Sequence, residues 1–253
     1  MSGSNSMCVA TVVLETGRVA MTEPVTMLRL EAPGGVVEVT AHCRAGKVES
    51  VAITNLASFV GRKDAPLEVE GFGTLRVDTA FGGDSFVLVD AADLGFSVTP
   101  DEAADLARAG RQITEAANEQ LGFAHPDPSL AWHHLSFCQL AGPVERMTGG
   151  LAMTSATVID PGKLDRSPTG TGLSARMALL VERGDMAIGD ALTMRSIIGS
   201  TFVGVVDAAT EVAGRAAIVP TITGRAWITG RTQHLLDPTD PWPQGYRLGD
   251  TWG

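Results

Sequence analysis

An α/β fold built from two related halves is predicted by three observations. Residues 2–17, SGSNSMCVATVVLETG, align without gaps on residues 169–184, TGTGLSARMALLVERG. Most of the remaining chain alternates apolar and polar residues or is β-branched, the pattern of strands. Only one other stretch, Pro100 to Gln120, carries strong helix signals. In the repeat, Ser2 faces Thr169, Gly3 faces Gly170, Ser4 faces Thr171, Glu15 faces Glu182 and Gly17 faces Gly184. The register survives to Thr26-Met27 opposite Thr193-Met194. The interval is far longer than that of a solenoid repeat and indicates a duplicated domain.

Each copy opens with hydroxyl residue, Gly, hydroxyl residue, then runs into apolar sequence and stops at Gly. Ser2 and Thr169 are the expected N-caps, and Gly17 and Gly184 the left-handed terminators. Met7 to Leu14 holds no charge, so the first helix is expected to be buried nearly all round; the second is similar but carries Arg176. A helix starting at small residues presents free N–H groups at its positive end, which suits an anion. Two such helices facing one another would grip a small carboxylate from both sides.

Strands are expected at Val36–Thr40, Val48–Ile53, Thr74–Asp78 and Phe86–Val89, with turns at Gly34-Gly35 and Ala45-Gly46 and a tight strand entry at Gly82-Gly83. Thr99 as N-cap, Pro100 at the first position and Asp101-Glu102 in the first turn open a surface helix running to Gln120. Further strands are expected at His133–Leu140, Ala152–Ile159 and Ala217–Ile222, with His133 and His134 straddling the first of them. His125-Pro126 reads as a turn. The tail from Asp237, with Pro238, Pro241 and Pro243, reads as irregular.

The chain has 253 residues and a formal net charge of −10, with no basic run, which argues against nucleic acid as a partner. No apolar stretch is long enough to span a membrane and no signal peptide precedes the first helix, so a cytoplasmic protein is expected. Cys8, Cys43 and Cys138 are widely spaced and read as buried free thiols, and no cluster of Cys or His suggests a metal.

The stretch Asp165-Arg-Ser-Pro-Thr169-Gly-Thr-Gly172 resembles the signature of the proline racemase family, Asp-Arg-Ser-Pro-Cys-Gly-Thr-Gly. The segment around Ser2, Gly3 and Ser4 resembles that family's Met-Cys-Gly-His-Gly, and Gly224-Arg-Ala-Trp-Ile-Thr-Gly230 is a further similar stretch. The resemblance implies the fold of diaminopimelate epimerase, in which two pseudo-symmetric domains each wrap strands around a central helix. Here the domains are expected over 1–62, completed by 226–253, and over 63–225. Family members carry a segment before the first motif, so the first domain is expected to be truncated.

The resemblance also implies cofactor-independent removal of the α-proton from proline or a hydroxyproline, a small-molecule substrate and no metal; a homodimer is carried as the expected assembly. It places Ser2 and Thr169 at the two catalytic Cys positions, with Gly3, Ser4, Asp165, Gly170 and Thr171 binding substrate. A hydroxyl is a far weaker acid than a thiol, so Ser2 with Thr169 makes a poor pair for two-base racemisation. Thr at the second position is associated in the family with dehydration of trans-3-hydroxy-L-proline to a pyrroline-2-carboxylate, Ser2 taking the proton and Thr169 bonding the substrate. A 4-hydroxyproline 2-epimerase or proline racemase, and a non-catalytic amino-acid-binding relative, stay open. Asp165 is expected to meet the substrate's ring nitrogen; its plainer alternative is a loop carboxylate paired with Arg166.

Overall fold

The protein is described by a computed structural model covering residues 2–32 and 35–246. Gly34 of the expected Gly34-Gly35 turn lies outside the described residues, as do the end of the tail with Trp252 and the last part of 226–253.

Each copy of the repeat forms a helix, a turn and a strand. In the first, α1 (Gly3–Glu15) leads through Gly17, at φ +70°, to β1 (Val25–Ala32). In the second, α3 (Gly170–Arg183) ends on left-handed Gly184 and leads to β11 (Ala191–Ser196). Thr26 and Thr193 both fall at the start of their strands, so the sequence register is also a structural one.

Between the copies lie β2 (Gly35–Arg44), β3 (Lys47–Thr54), β4 (Phe59–Val69), β5 (Gly73–Phe81), β6 (Ser85–Asp90), α2 (Ala103–Gln120), β7 (Phe137–Ala141), β8 (Glu145–Met147), β9 (Gly150–Ile159) and β10 (Lys163–Leu164). After β11 come β12 (Thr201–Val212) and β13 (Arg215–Gly224). The strands run in the order β1-β2-β3-β13-β12-β11-β9-β7-β6-β5-β4, with β8 and β10 added to β9. The two halves join where β13 pairs antiparallel with β3, Thr221 opposite Thr54 through Gly224 opposite Val51. The described part of the tail, 226–246, adds no strand.

One core surrounds α1 and α3; its members include Met7, Val39, Ile53, Phe86, Leu173, Met177 and Ile222. A second, with Leu67, Leu106, Ile113, Leu140 and Val158, seats α2 on the outer face of the sheet. That helix is amphipathic as expected, burying Leu106, Ala109, Gly110, Ile113 and Ala117, after a 3₁₀ turn at Pro100–Glu102 closed by a Thr99/Glu102 capping box. α3 is buried at every residue from Gly170 to Leu180, including Arg176, whose Nε donates to Gln139 Oε1 at 3.1 Å.

Four expectations are corrected. α1 buries one face only, with Val9 47% and Val12 41% exposed, because β2, β3 and β13 pack on a single side of it. Cys8 sits on the uncovered side and is exposed, while Cys43 and Cys138 are buried. The strand expected from His133 starts at Phe137; His133 and His134 lie exposed in the preceding loop, His134 stacked on Trp132 at 5.0 Å. Thr169 precedes α3 without any side-chain cap hydrogen bond.

Candidate active site

The residues singled out by the repeat converge. Ser2, Gly3, Ser4, Asp165, Thr169, Gly170 and Thr171 line one pocket of about 170 Å³, together with Asp84, Phe137 and Ile159. This is well below the ~300–1,000 Å³ of sites for drug-sized ligands, and it suits a small molecule. The N-termini of α1 and α3 meet there. A β-carbon placed on Gly3 would lie 3.5 Å from the Cα of Gly170, and the converse distance is also 3.5 Å. First-turn amides of a helix have no intrahelical acceptor, so the pair concentrates N–H donors and positive dipole ends on one spot. A carboxylate is the group that fits it.

The two N-cap positions differ in their chemistry. Ser2 has an ordinary extended backbone, φ −121°, and its hydroxyl accepts from the Asn5 amide at 3.5 Å and lies 3.5 Å from the Ser4 hydroxyl. Among the described residues no carboxylate or imidazole is hydrogen-bonded to it. Thr169 is at φ +61°, a region that β-branched residues avoid. That backbone turns its hydroxyl away from the helix amides and toward the preceding loop, where it donates to Asp165 Oδ2 at 2.7 Å. Strain held by surrounding structure is a recurrent property of functional positions.

Asp165 is fixed in turn. Its amide donates to the Thr157 carbonyl at 2.9 Å, tying the loop to β9. Its Oδ1 accepts from the Ser167 amide at 2.8 Å and its Oδ2 from the Ser167 hydroxyl at 3.0 Å, besides Thr169. The carboxylate thus organises the loop through Ser167 and Thr169; among the described residues it has no ion pair with Arg166.

The turn between β5 and β6 completes the pocket and is legible in sequence only as a tight turn. Gly82 touches α3 so closely that a β-carbon there would sit 2.1 Å from the Thr171 carbonyl oxygen. The buried Asn55 side chain is a clamp: its Nδ2 donates to the Gly82 carbonyl at 2.8 Å and to the Ser174 hydroxyl at 2.7 Å. Asp84 follows, half-buried, and burial pushes its carboxyl above the usual carboxylate range, with the Ser136 hydroxyl and the Ser85 amide acting in the other direction. Nothing in a lone Asp after Gly-Gly distinguishes it in sequence. Among the described residues no group of three metal-ligating side chains is found, and no helix is long and apolar enough to cross a membrane.

A family model described as proline racemase matches residues 1–247. The probable proline racemase of Agrobacterium radiobacter K84, solved with bound carbonate, is 40% identical over 100% of this chain and 73% of its own, with a TM-score of 0.87. A hydroxyproline epimerase of Agrobacterium vitis, solved with trans-4-hydroxy-L-proline, is 41% identical over 100% of this chain and 72% of its own, TM-score 0.87. A Bacillus anthracis phenazine biosynthesis protein of the PhzF family shares the fold alone, at 11% identity over 89% of this chain and 73% of its own, TM-score 0.54.

Proposed function

The chain belongs to the proline racemase family, and on that footing we propose that it dehydrates trans-3-hydroxy-L-proline to a pyrroline-2-carboxylate. The observation that carries this reading is the asymmetry of the two hydroxyls. Among the described residues Thr169 is bonded to a carboxylate and Ser2 is not, which gives the Thr169 face of the pocket a route for a proton that the Ser2 face does not share. Two-base inversion needs both faces. Elimination needs one.

In the proposed reaction the substrate carboxylate lies between the N-termini of α1 and α3, which also take up the charge that develops as the α-carbon loses its proton. Thr169 Oγ1 accepts that proton while its own passes to Asp165. The C–H electrons form the C2–C3 double bond, the C3–O bond breaks, and Asp165 returns its proton through Thr169 to the departing hydroxyl, which leaves as water. The enamine then tautomerises to the imine. The geometry favours Thr169, rather than Ser2 as read from sequence, for the proton transfer. Asp165 keeps acceptor capacity toward a ring ammonium alongside its bond to Thr169. Ser2 holds α1 in place as its cap.

A second reading, epimerisation at the α-carbon, is supported by the likeness to the hydroxyproline epimerase of Agrobacterium vitis. Three variants separate the roles. Thr169→Ala and Asp165→Asn are expected to lose turnover by about 100-fold or more, the scale of a general base, whereas Ser2→Ala keeps turnover within about 10-fold. Loss of all turnover in Ser2→Ala with Thr169→Ala still active would return the proton transfer to Ser2.

A further inference from the structure

We propose that Asp84 receives the ring hydroxyl of the substrate and thereby selects hydroxyprolines over proline. The inference rests on the reading that a proline derivative occupies this pocket, and concerns which member of that class it takes.

The pocket's polar groups are otherwise assigned by what proline and its hydroxylated forms share. The N-termini of α1 and α3 suit the carboxylate, and Thr169 with Asp165 suits the α-carbon and the amine. Phe137 and Ile159 supply apolar wall for ring methylenes. Asp84 is left over, a second carboxylate in a pocket whose substrate needs one counterion at most. An alcohol on the ring is the donor such an acceptor asks for.

Its position is fixed, which a specificity contact requires. Asp84 Oδ1 accepts from the Ser85 amide at 2.8 Å. Ser85 is fully buried, its hydroxyl donating to the His134 carbonyl at 2.6 Å and accepting from Trp132 Nε1 at 2.9 Å. On the other side the turn is pressed onto α3 at Gly82. The carboxylate cannot swing clear when a ligand lacks the hydroxyl. Bound proline would then desolvate a charged acceptor while leaving its remaining acceptor capacity unmet, the arrangement by which a polar site rejects an analogue that lacks one hydroxyl. The protein's own burial of this carboxyl already pushes it upward before any ligand enters.

The test is calorimetric binding of trans-3-hydroxy-L-proline, trans-4-hydroxy-L-proline and L-proline to wild type, Asp84→Asn and Asp84→Ala. Wild type is expected to bind at least one hydroxyproline about 10-fold or more tightly than proline. In Asp84→Ala that ratio falls to about one, through tighter proline binding together with weaker hydroxyproline binding, and the retained proline binding certifies the fold; Asp84→Asn, still able to bond a hydroxyl, lies between. An unchanged ratio in Asp84→Ala overturns the assignment and leaves the pocket reading intact. Equal loss of all three ligands also overturns it, placing Asp84 on the shared amine. Wild type that binds none of the three refutes the pocket reading and the Asp84 role together.

Discussion

Gly3 and Gly170, counterparts in the sequence repeat, are also neighbours in space: each stands where a β-carbon would come within 3.5 Å of the other's Cα. The duplication therefore places two corresponding helix starts head to head across one pocket. Because 3.5 Å is ordinary van der Waals contact, Gly170→Ala should fold, and the loss of glycine's backbone freedom should add about 0.4–1 kcal/mol of stability. The methyl group would occupy the gap proposed for the carboxylate. Denaturant unfolding and calorimetry with pyrrole-2-carboxylate should report a more stable protein that binds the ligand about 10-fold or more weakly. Unchanged affinity would mean the carboxylate sits elsewhere.

Thr169 carries the strain of the site. Its φ of +61° suits glycine and disfavours a β-branched residue by about 1–2 kcal/mol. Thr169→Gly should therefore be more stable than Thr169→Ala by about that amount, with turnover lowered by about 100-fold or more in both. Equal stability of the two variants in urea would show that the backbone there is relaxed.

Thiol chemistry gives a third check. Cys43 and Cys138 are buried, and burial drives the Cys138 thiol far above its usual range, whereas Cys8 is exposed on α1. A thiol-reactive chromophore should titrate Cys8 alone in the native protein and the other two only in denaturant. Turnover should survive the labelling, since no cysteine lines the pocket. Inactivation in step with labelling would point to a thiol in the chemistry.

Much of this was readable in advance, and particular residues show why the rest was not. The helix starts at Ser2 and Thr169, the glycine stops, the helix opening at Thr99-Pro100 and most strand cores depend on local patterns, and local patterns persist in the fold. The exposure of Val9 and Val12 depends on which strands pack beside α1, which their apolar character does not reveal. Thr169 and Ser2 are equivalent in sequence; only the loop from Asp165 to Thr169, bonded to itself, separates a strained hydroxyl from an ordinary cap. Asp84 enters the pocket because Gly82, with no side chain, lets the β5–β6 turn lie against α3, a long-range contact without a sequence mark.

The buried setting of Asp84 also sets a pH dependence. The folded state holds its proton more tightly than the unfolded chain, so its protonated form favours folding, and that contribution is lost as pH rises through the folded-state pKa. Melting temperatures of wild type should fall relative to Asp84→Asn from about pH 4, where an unperturbed Asp titrates, toward neutrality, the gap then staying constant. A wild-type melting temperature that rises relative to Asp84→Asn over that range would contradict the raised carboxyl. The similarly raised Asp78 is common to both proteins and cancels in the comparison.

The central claim is that a pocket with one carboxylate-backed hydroxyl eliminates rather than inverts. Proton NMR in D₂O, with wild-type protein and equal concentrations of trans-3-hydroxy-L-proline, trans-4-hydroxy-L-proline and L-proline, tests it directly. The account predicts that the 3-hydroxy compound is consumed to a pyrroline-2-carboxylate, while the other two give no epimer at the α-carbon. Rapid appearance of cis-4-hydroxy-D-proline or D-proline, with the 3-hydroxy compound losing no water, would contradict it and establish that Ser2 and Thr169 together run two-base chemistry.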